Sequence, residues 1–172
     1  MSDYRLPFYP ATKVLQDVFS KSDIGLAWFD GAEQPEQINS LFKNQAEIKY
    51  GVFGFSDADV LNNKTVIFWE FWLDLEVYSN YQGRKIVAQT LQKILGYFSS
   101  QEAWDALSEG LLAEGYDLKQ IDMGKVHMGL PMHNDIGIWQ NGSLPVKFLL
   151  EQTDLPSAAS GGVNNGNEVN QE

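Results

Sequence analysis

The sequence predicts an α+β fold, an antiparallel or mixed β-sheet with helices packed mainly on one face. Three observations point there. Residues 65–78 alternate apolar and mixed side chains at period two over an unusual length. Residues 84–98 repeat apolar side chains at helical spacing, with Lys85, Gln89, Gln92 and Lys93 left for water. The order of elements is helix, strand, polar loop, two strands, two helices, then strands, which suits a sheet covered on one side.

The elements follow in order. Tyr9-Pro10 opens a first helix, because a proline in the first turn gives up only an N–H that would be unpaired there. Val14, Leu15, Val18 and Phe19 form its apolar face, and it should stop between Ser20 and Asp23. Ile24 to Phe29 reads as a short strand closed by Asp30-Gly31. Ala32 to Asn44 reads as a polar loop with one helical turn around Ile38–Phe42. Glu47 to Phe55 is extended, with Gly51 and Gly54 marking a bulge or a close backbone approach. Ser56 to Lys64 is expected to be a polar connection, since Asp57, Asp59, Asn62 and Asn63 are turn formers.

Thr65 to Tyr78 is the strongest strand. One face carries Thr65, Ile67, Trp69, Phe71, Leu73, Leu75 and Val77; the other carries Val66, Phe68, Glu70, Trp72, Asp74, Glu76 and Tyr78. At ~3.3 Å per residue it spans roughly 45 Å and is expected to outrun its own domain's core. After a turn at Gly83 comes the long helix, with Ile86, Val87, Leu91, Ile94, Leu95 and Phe98 as its buried stripe. Ser99 and Glu102 match a capping box for a second, shorter helix carrying Ala103, Trp104, Leu107 and Leu111. Tyr116 to Met128 reads as one or two strands, and Gly129 to Asp135 as a loop. Asn141-Gly142 is expected to be a hairpin turn joining Ile136–Gln140 to Leu144–Gln152. Residues 1–155 thus make a single α+β domain, and 156–172, almost without apolar side chains, a disordered tail.

Composition narrows the function. The chain has 172 residues, 44% apolar and 20% charged, a globular composition with no stretch near the ~20 apolar residues of a membrane span. Met1-Ser2-Asp3-Tyr4-Arg5 has no basic-then-apolar pattern, so no signal peptide is expected. With no cysteine, disulfides and thiolate catalysis are excluded. Twelve basic residues against 23 acidic give a net charge of −11. Such a surface repels phosphates, but it suits a passage DNA slides through without adhering, or a basic protein partner.

The candidates for chemistry are weak. His127, His133 and Asp135 follow H-x5-H-x-D, which matches no zinc pattern. Asp57-Ala58-Asp59 begins like a calcium loop but puts Leu61 where an oxygen ligand is needed. Glu47 and Lys49 with Asp30 imitate a metal-dependent nuclease core, in a chain with the wrong charge for gripping DNA. No phosphate loop, dinucleotide fingerprint or nucleophile elbow is present. The expectation is a non-enzyme without metal or cofactor. The remaining constellation is one face of the long strand, with Phe68, Glu70, Trp72, Asp74 and Glu76. It is either the solvent side of a half-buried sheet, or the lining of a channel or a subunit contact.

The layout of N-terminal helix, strand ending in Phe29-Asp30, long strand Phe71–Ser79, short turn with Gly83 and amphipathic helix Ile86–Leu95 resembles the tail-terminator (tail-completion, minor tail protein) family of long-tailed bacteriophages. The resemblance is one of pattern and order and runs to about Gln152. It implies a structural virion protein, assembled in the host cytoplasm and located at the neck end of the tail. It implies a homo-oligomeric ring, a hexamer, that caps the tail tube, ends tail polymerisation and meets the head–tail connector protein, with DNA passing through the lumen and no membrane involved. The alternative is a small acidic partner-binding protein of the immunity or inhibitor type.

Overall fold

The computed structural model describes residues 3–31, 40, 42–43, 45–62, 65–134 and 137–155. Helix α1 (Phe8–Lys21) starts from Pro7 with Pro10 in its first turn, and an i,i+4 pair of Asp17 and Lys21 at 2.7 Å supports its last turn. Its buried stripe is Ala11, Val14, Leu15, Val18 and Phe19. Strand β1 (Ala27–Asp30) follows, then β2 (Lys49–Asn62) and β3 (Ile67–Ser79). Helix α2 (Lys85–Phe98) buries Val87, Thr90, Leu91, Ile94 and Phe98, while Ile86 and Leu95 are half-buried. Helix α3 (Gln101–Ala113) is capped by Ser100, whose hydroxyl accepts from the Ala103 N–H at 3.1 Å. The cap is therefore one residue later than the expected Ser99, whose own hydroxyl donates back to the Leu95 carbonyl. Strands β4 (Tyr116–Met123), β5 (His127–Met128), β6 (Met132–Asn134) and β7 (Gly137–Gln152) complete the described residues.

The sheet runs β1-β2-β3-β7-β4, with β5 and β6 also on β7. β1 lies parallel to β2 and every other pairing is antiparallel, so the sheet is mixed and the predicted α+β class holds. Alternation divides its faces. Trp69, Phe71, Leu73, Leu75 and Val77 of β3 and Leu144, Val146, Phe148 and Leu150 of β7 are buried in one core with the three helices.

Four further expectations are corrected. Residues 56–62 are strand, not connection: after a bulge between Phe53 and Ser56 the register resumes and runs to Asn62↔Ile67. Polar turn formers sit there because Asp57 and Asp59 take the solvent side of a strand whose other side carries Ala58 and Val60. Met132–Asn134 is strand β6 rather than loop.

The Asn141-Gly142 hairpin does not exist. Both residues lie inside continuous β7, opposite Tyr78 and Val77. Glycine is required there by close packing: a Cβ would lie 2.9 Å from the His127 carbonyl oxygen, Leu91 Cδ1 and Val87 Cγ1. Asn141 uses its amide to donate to the Leu130 carbonyl.

Lastly, β3 does not outrun its sheet. It is paired along its length by β2 on one side and, from Phe68 to Ser79, by β7 on the other. Its neighbours are as long as it is. The expected helical turn near residues 38–42, Asp135 and the 156–172 tail fall wholly or largely outside the described residues.

Pro145 shows how β7 tolerates a proline. Its carbonyl accepts from the Gly124 N–H at 2.7 Å, so its hydrogen-bonding side faces the gap between β4 and β5, where no strand needs its missing donor.

Candidate functional site, the open face of the sheet

The face turned away from the helices is built by alternation. Because Trp69, Phe71, Leu73 and Leu75 point into the core, Phe68, Glu70, Trp72, Asp74, Glu76 and Tyr78 point out together. The five candidate residues therefore share one surface, as their period-two spacing requires. Trp72 is 37% exposed and the other four are half-buried.

Neighbouring strands add residues that the sequence did not single out. The register sets Asp57 beside Trp72 and Asp59 beside Glu70. On the other side, Lys147 lies beside Trp72 and Glu151 beside Phe68; β4 contributes Asp122 next to Lys147 and Asp117 next to Glu151. Eight carboxylates thus share this face with two lysines, Lys147 and Lys119, and with His127, which pairs with Ser143 on β7. The alternation Asp57-x-Asp59-x-Leu61 was the only signal for the β2 row, and turn-forming composition hid it.

Lys147 is the electrostatic centre. Its Nζ lies 3.4 Å from Glu70 and 3.5 Å from Asp122, and 5.4 Å from the centroid of the Trp72 ring. Lys119 bridges Asp117 at 2.5 Å and Glu151 at 2.7 Å, and the hydrogen bond to Asp117, then that to Glu151, raises its pKa. Burial raises the Asp74 carboxyl above its usual range, and His127 partly opposes this. At the far end, Tyr78 donates to Glu76 at 2.5 Å and stacks on Tyr50 at 5.3 Å; burial first, then Glu76, raises the Tyr78 phenol. Tyr50 in turn meets Phe42, Phe29 and Trp139.

The weaker candidates are not brought together. His127 and His133 pair with Ser143 and Ile138, five residues apart along β7, or roughly 17 Å at ~3.3 Å per residue. Asp30 pairs with Phe53 while Lys49 pairs with Ser79, four positions away along β2. Asp57 and Asp59 sit in a strand. Among the described residues no three His, Asp or Glu side chains are grouped to hold a metal ion, and no helix is long and apolar enough to cross a membrane.

A second feature concerns the edges. β1 pairs only with Tyr50–Phe53, so Ser56–Asn62 of β2 has no partner on its outer side among the described residues. β4 is likewise paired only by β7. Across the sheet these two edges are level. Leu61, Phe68, Glu151 and Asp117 lie on one line, and Asp57, Trp72, Lys147 and Asp122 on another. Phe55, 70% exposed, stands at the bulge where β1 stops and the free edge begins.

No family model matches the chain, and no curated protein matches it.

Proposed function

We propose that this protein is a structural ring-forming subunit of the tail-terminator type, capping a phage tail tube and joining it to the head connector while DNA passes through its lumen. The pair of level free edges carries this reading. β2, β3, β7 and β4 alternate in direction. Rotation about an axis tilted to the strands, so that β5 of one copy clears β1 of the next, which lies at the same level, brings β4 of one copy antiparallel to β2 of the next. Among the described residues each edge has no strand on its outer side over seven to eight residues, and natural monomers usually blunt such edges. Pairing two copies through the same edge of β2 is disfavoured, since Asp57 and Asp59 would then face their own kind. A head-to-tail contact repeated around an axis closes a ring. The open face then turns inward, and its carboxylates keep DNA from adhering. Six copies, and the tail tube and connector as partners, follow from the resemblance.

Mass photometry across protein and salt concentration, with and without tail tubes built from the tube protein of the same phage, tests the reading. A concentration-dependent ring is expected, and Val60→Lys should shift it toward monomer without lowering the monomer's melting temperature. A strict monomer in every condition, tail tubes included, would end it. The acidic face also favours a second reading, a module binding one basic protein; that module would remain a monomer here and bind a cationic partner with steep salt dependence.

A further inference from the structure

We infer that the outer edge of β2, from Ser56 to Asn62, receives an extended segment of a partner protein in which basic and apolar residues alternate. The inference goes beyond the ring reading. Both use the same edge, so a bound segment and the β4 edge of a second copy exclude each other.

The edge has a pocket at its foot. β1 ends at Asp30, opposite Phe53, and the Gly31 N–H donates to the Phe53 carbonyl at 3.1 Å. A strand laid against Ser56–Asn62 continues the column that β1 leaves. A pocket of about 260 Å³ opens at that junction, lined by Phe8 and Tyr9 of α1, Phe53 and Ser56 of β2, and Asp30. Asp30 lies on the helix side of the sheet because Trp28, two residues before it, points into the core. It is exposed and belongs to no described ion pair. Aromatic walls with a carboxylate suit a lysine or arginine, whose stem lies on the rings while its charge reaches Asp30.

Above the pocket, register and alternation prescribe the rest of the ligand. Asp57 and Asp59 stand on the open face, level with Trp72 and Glu70, while Ala58 and Val60 stand on the helix side, level with Phe71 and Trp69. Both aspartates are exposed and outside every described ion pair. The lysine at the level of Asp57, Lys147, is held by Glu70 and Asp122. Cross-strand neighbours decide what an edge accepts. The added strand therefore sets basic side chains beside Asp57 and Asp59 and apolar ones beside Ala58 and Val60, whichever way it runs. β4 of a second copy brings Asp117 and Asp122 to the open face instead, so a basic segment matches the charge of this edge better. Backbone hydrogen bonds supply affinity in such strand addition, and the alternating side chains supply selectivity.

The probe is the capped peptide Lys-Lys-Val-Lys-Val-Lys-Lys, as long as the edge and with the same pattern read from either end. Its control is Val-Val-Lys-Lys-Lys-Lys-Lys, equal in charge and composition. Fluorescence anisotropy measures both on the full chain, at a protein concentration too low for assembly and at about 0.15 M salt, where charges beyond ~8 Å are screened. The alternating peptide should bind at least tenfold more tightly than its control, and it should slow hydrogen exchange at backbone amides of residues 56–62. Asp57→Asn combined with Asp59→Asn should weaken it about fivefold, and Asp30→Asn about twofold, with circular dichroism confirming that each variant is folded. Equal affinity for the two peptides would mean charge attraction without strand addition and would overturn the inference. Protection along Tyr116–Met123 instead, or no binding of either peptide, would overturn it too. Because the measurement is made on the monomer, a chain that never forms rings leaves the inference standing, and failed peptide binding leaves the ring reading intact.

Discussion

Replacing Gly142 by alanine distinguishes a hairpin turn from a strand packed under a helix. A new Cβ would stand 2.9 Å from Leu91 Cδ1 and Val87 Cγ1 on α2 and the same distance from the His127 carbonyl oxygen. The two side chains can yield, but the carbonyl belongs to β5 and moves only with its strand. Overpacking of this kind costs ~1–3 kcal/mol. In a domain of this size ~1 kcal/mol lowers the melting temperature by roughly 2–4 °C, so a drop of several degrees is expected. Leu91 is fully buried, and Leu91→Ala alone should cost ~2–5 kcal/mol. The decisive measurement is the double variant. The space vacated by Leu91 lies where the new methyl must go, so the combined loss should fall short of the sum by ~0.5–3 kcal/mol. A solvent-exposed turn touches no helix, and there the two losses would add within ~0.5 kcal/mol. Urea unfolding followed by far-UV circular dichroism, at one low protein concentration so that assembly does not enter, gives all four stabilities. Additivity, or a neutral Gly142→Ala, would refute the packing argument.

Ser100→Ala should destabilise by about 1 kcal/mol through loss of the α3 cap, and Ser99→Ala by less; thermal melts of the pair decide which serine caps the helix. Leu95 is half-buried, so Leu95→Ala should cost clearly less than Leu91→Ala in the same urea titration. The raised Asp74 carboxyl favours the folded state while protonated, and this contribution is lost as pH rises through its folded pKa. Asp74→Asn should therefore melt at or above the wild type at pH 7, and the difference should vanish below about pH 4, the range of a free aspartate; a variant that melts lower at pH 7 would contradict this. Truncation after Leu155 should leave the melting temperature within a few degrees, because residues 156–172 offer too little apolar surface to offset the entropy of ordering them.

The residues that proved legible in the sequence were those whose neighbours along the chain decide their place. Val14, Val18, Leu91 and Ile94 face the core because helical spacing stacks them, and Trp69 to Val77 do so because a strand alternates. The same alternation put Phe68, Glu70, Trp72, Asp74 and Glu76 on one face before any partner strand was known. What the spacing could not say was which other carboxylates and lysines join them. Asp57, Asp122, Glu151 and Lys147 arrive there by pairing register, and register depends on residues up to about eighty positions away.

Asn141-Gly142 marks the same limit from the other side. Its local chemistry suits a tight turn, yet pairing with β3 on one side, the approach of α2 above and the hydrogen bond to Leu130 keep it extended. Likewise the length of β3 was legible but not its meaning. A long strand is an exposed edge when its neighbours are short and an interior one when they match it, and β2 and β7 match it. Local propensity and periodicity by themselves determined the helices, the central strand and its two faces, because those rest on contacts within a few residues. Tertiary structure alone decided the free edges, the charge content of the open face and the exposure of Val126, Leu130 and Met132, because each depends on which strand lies beside which.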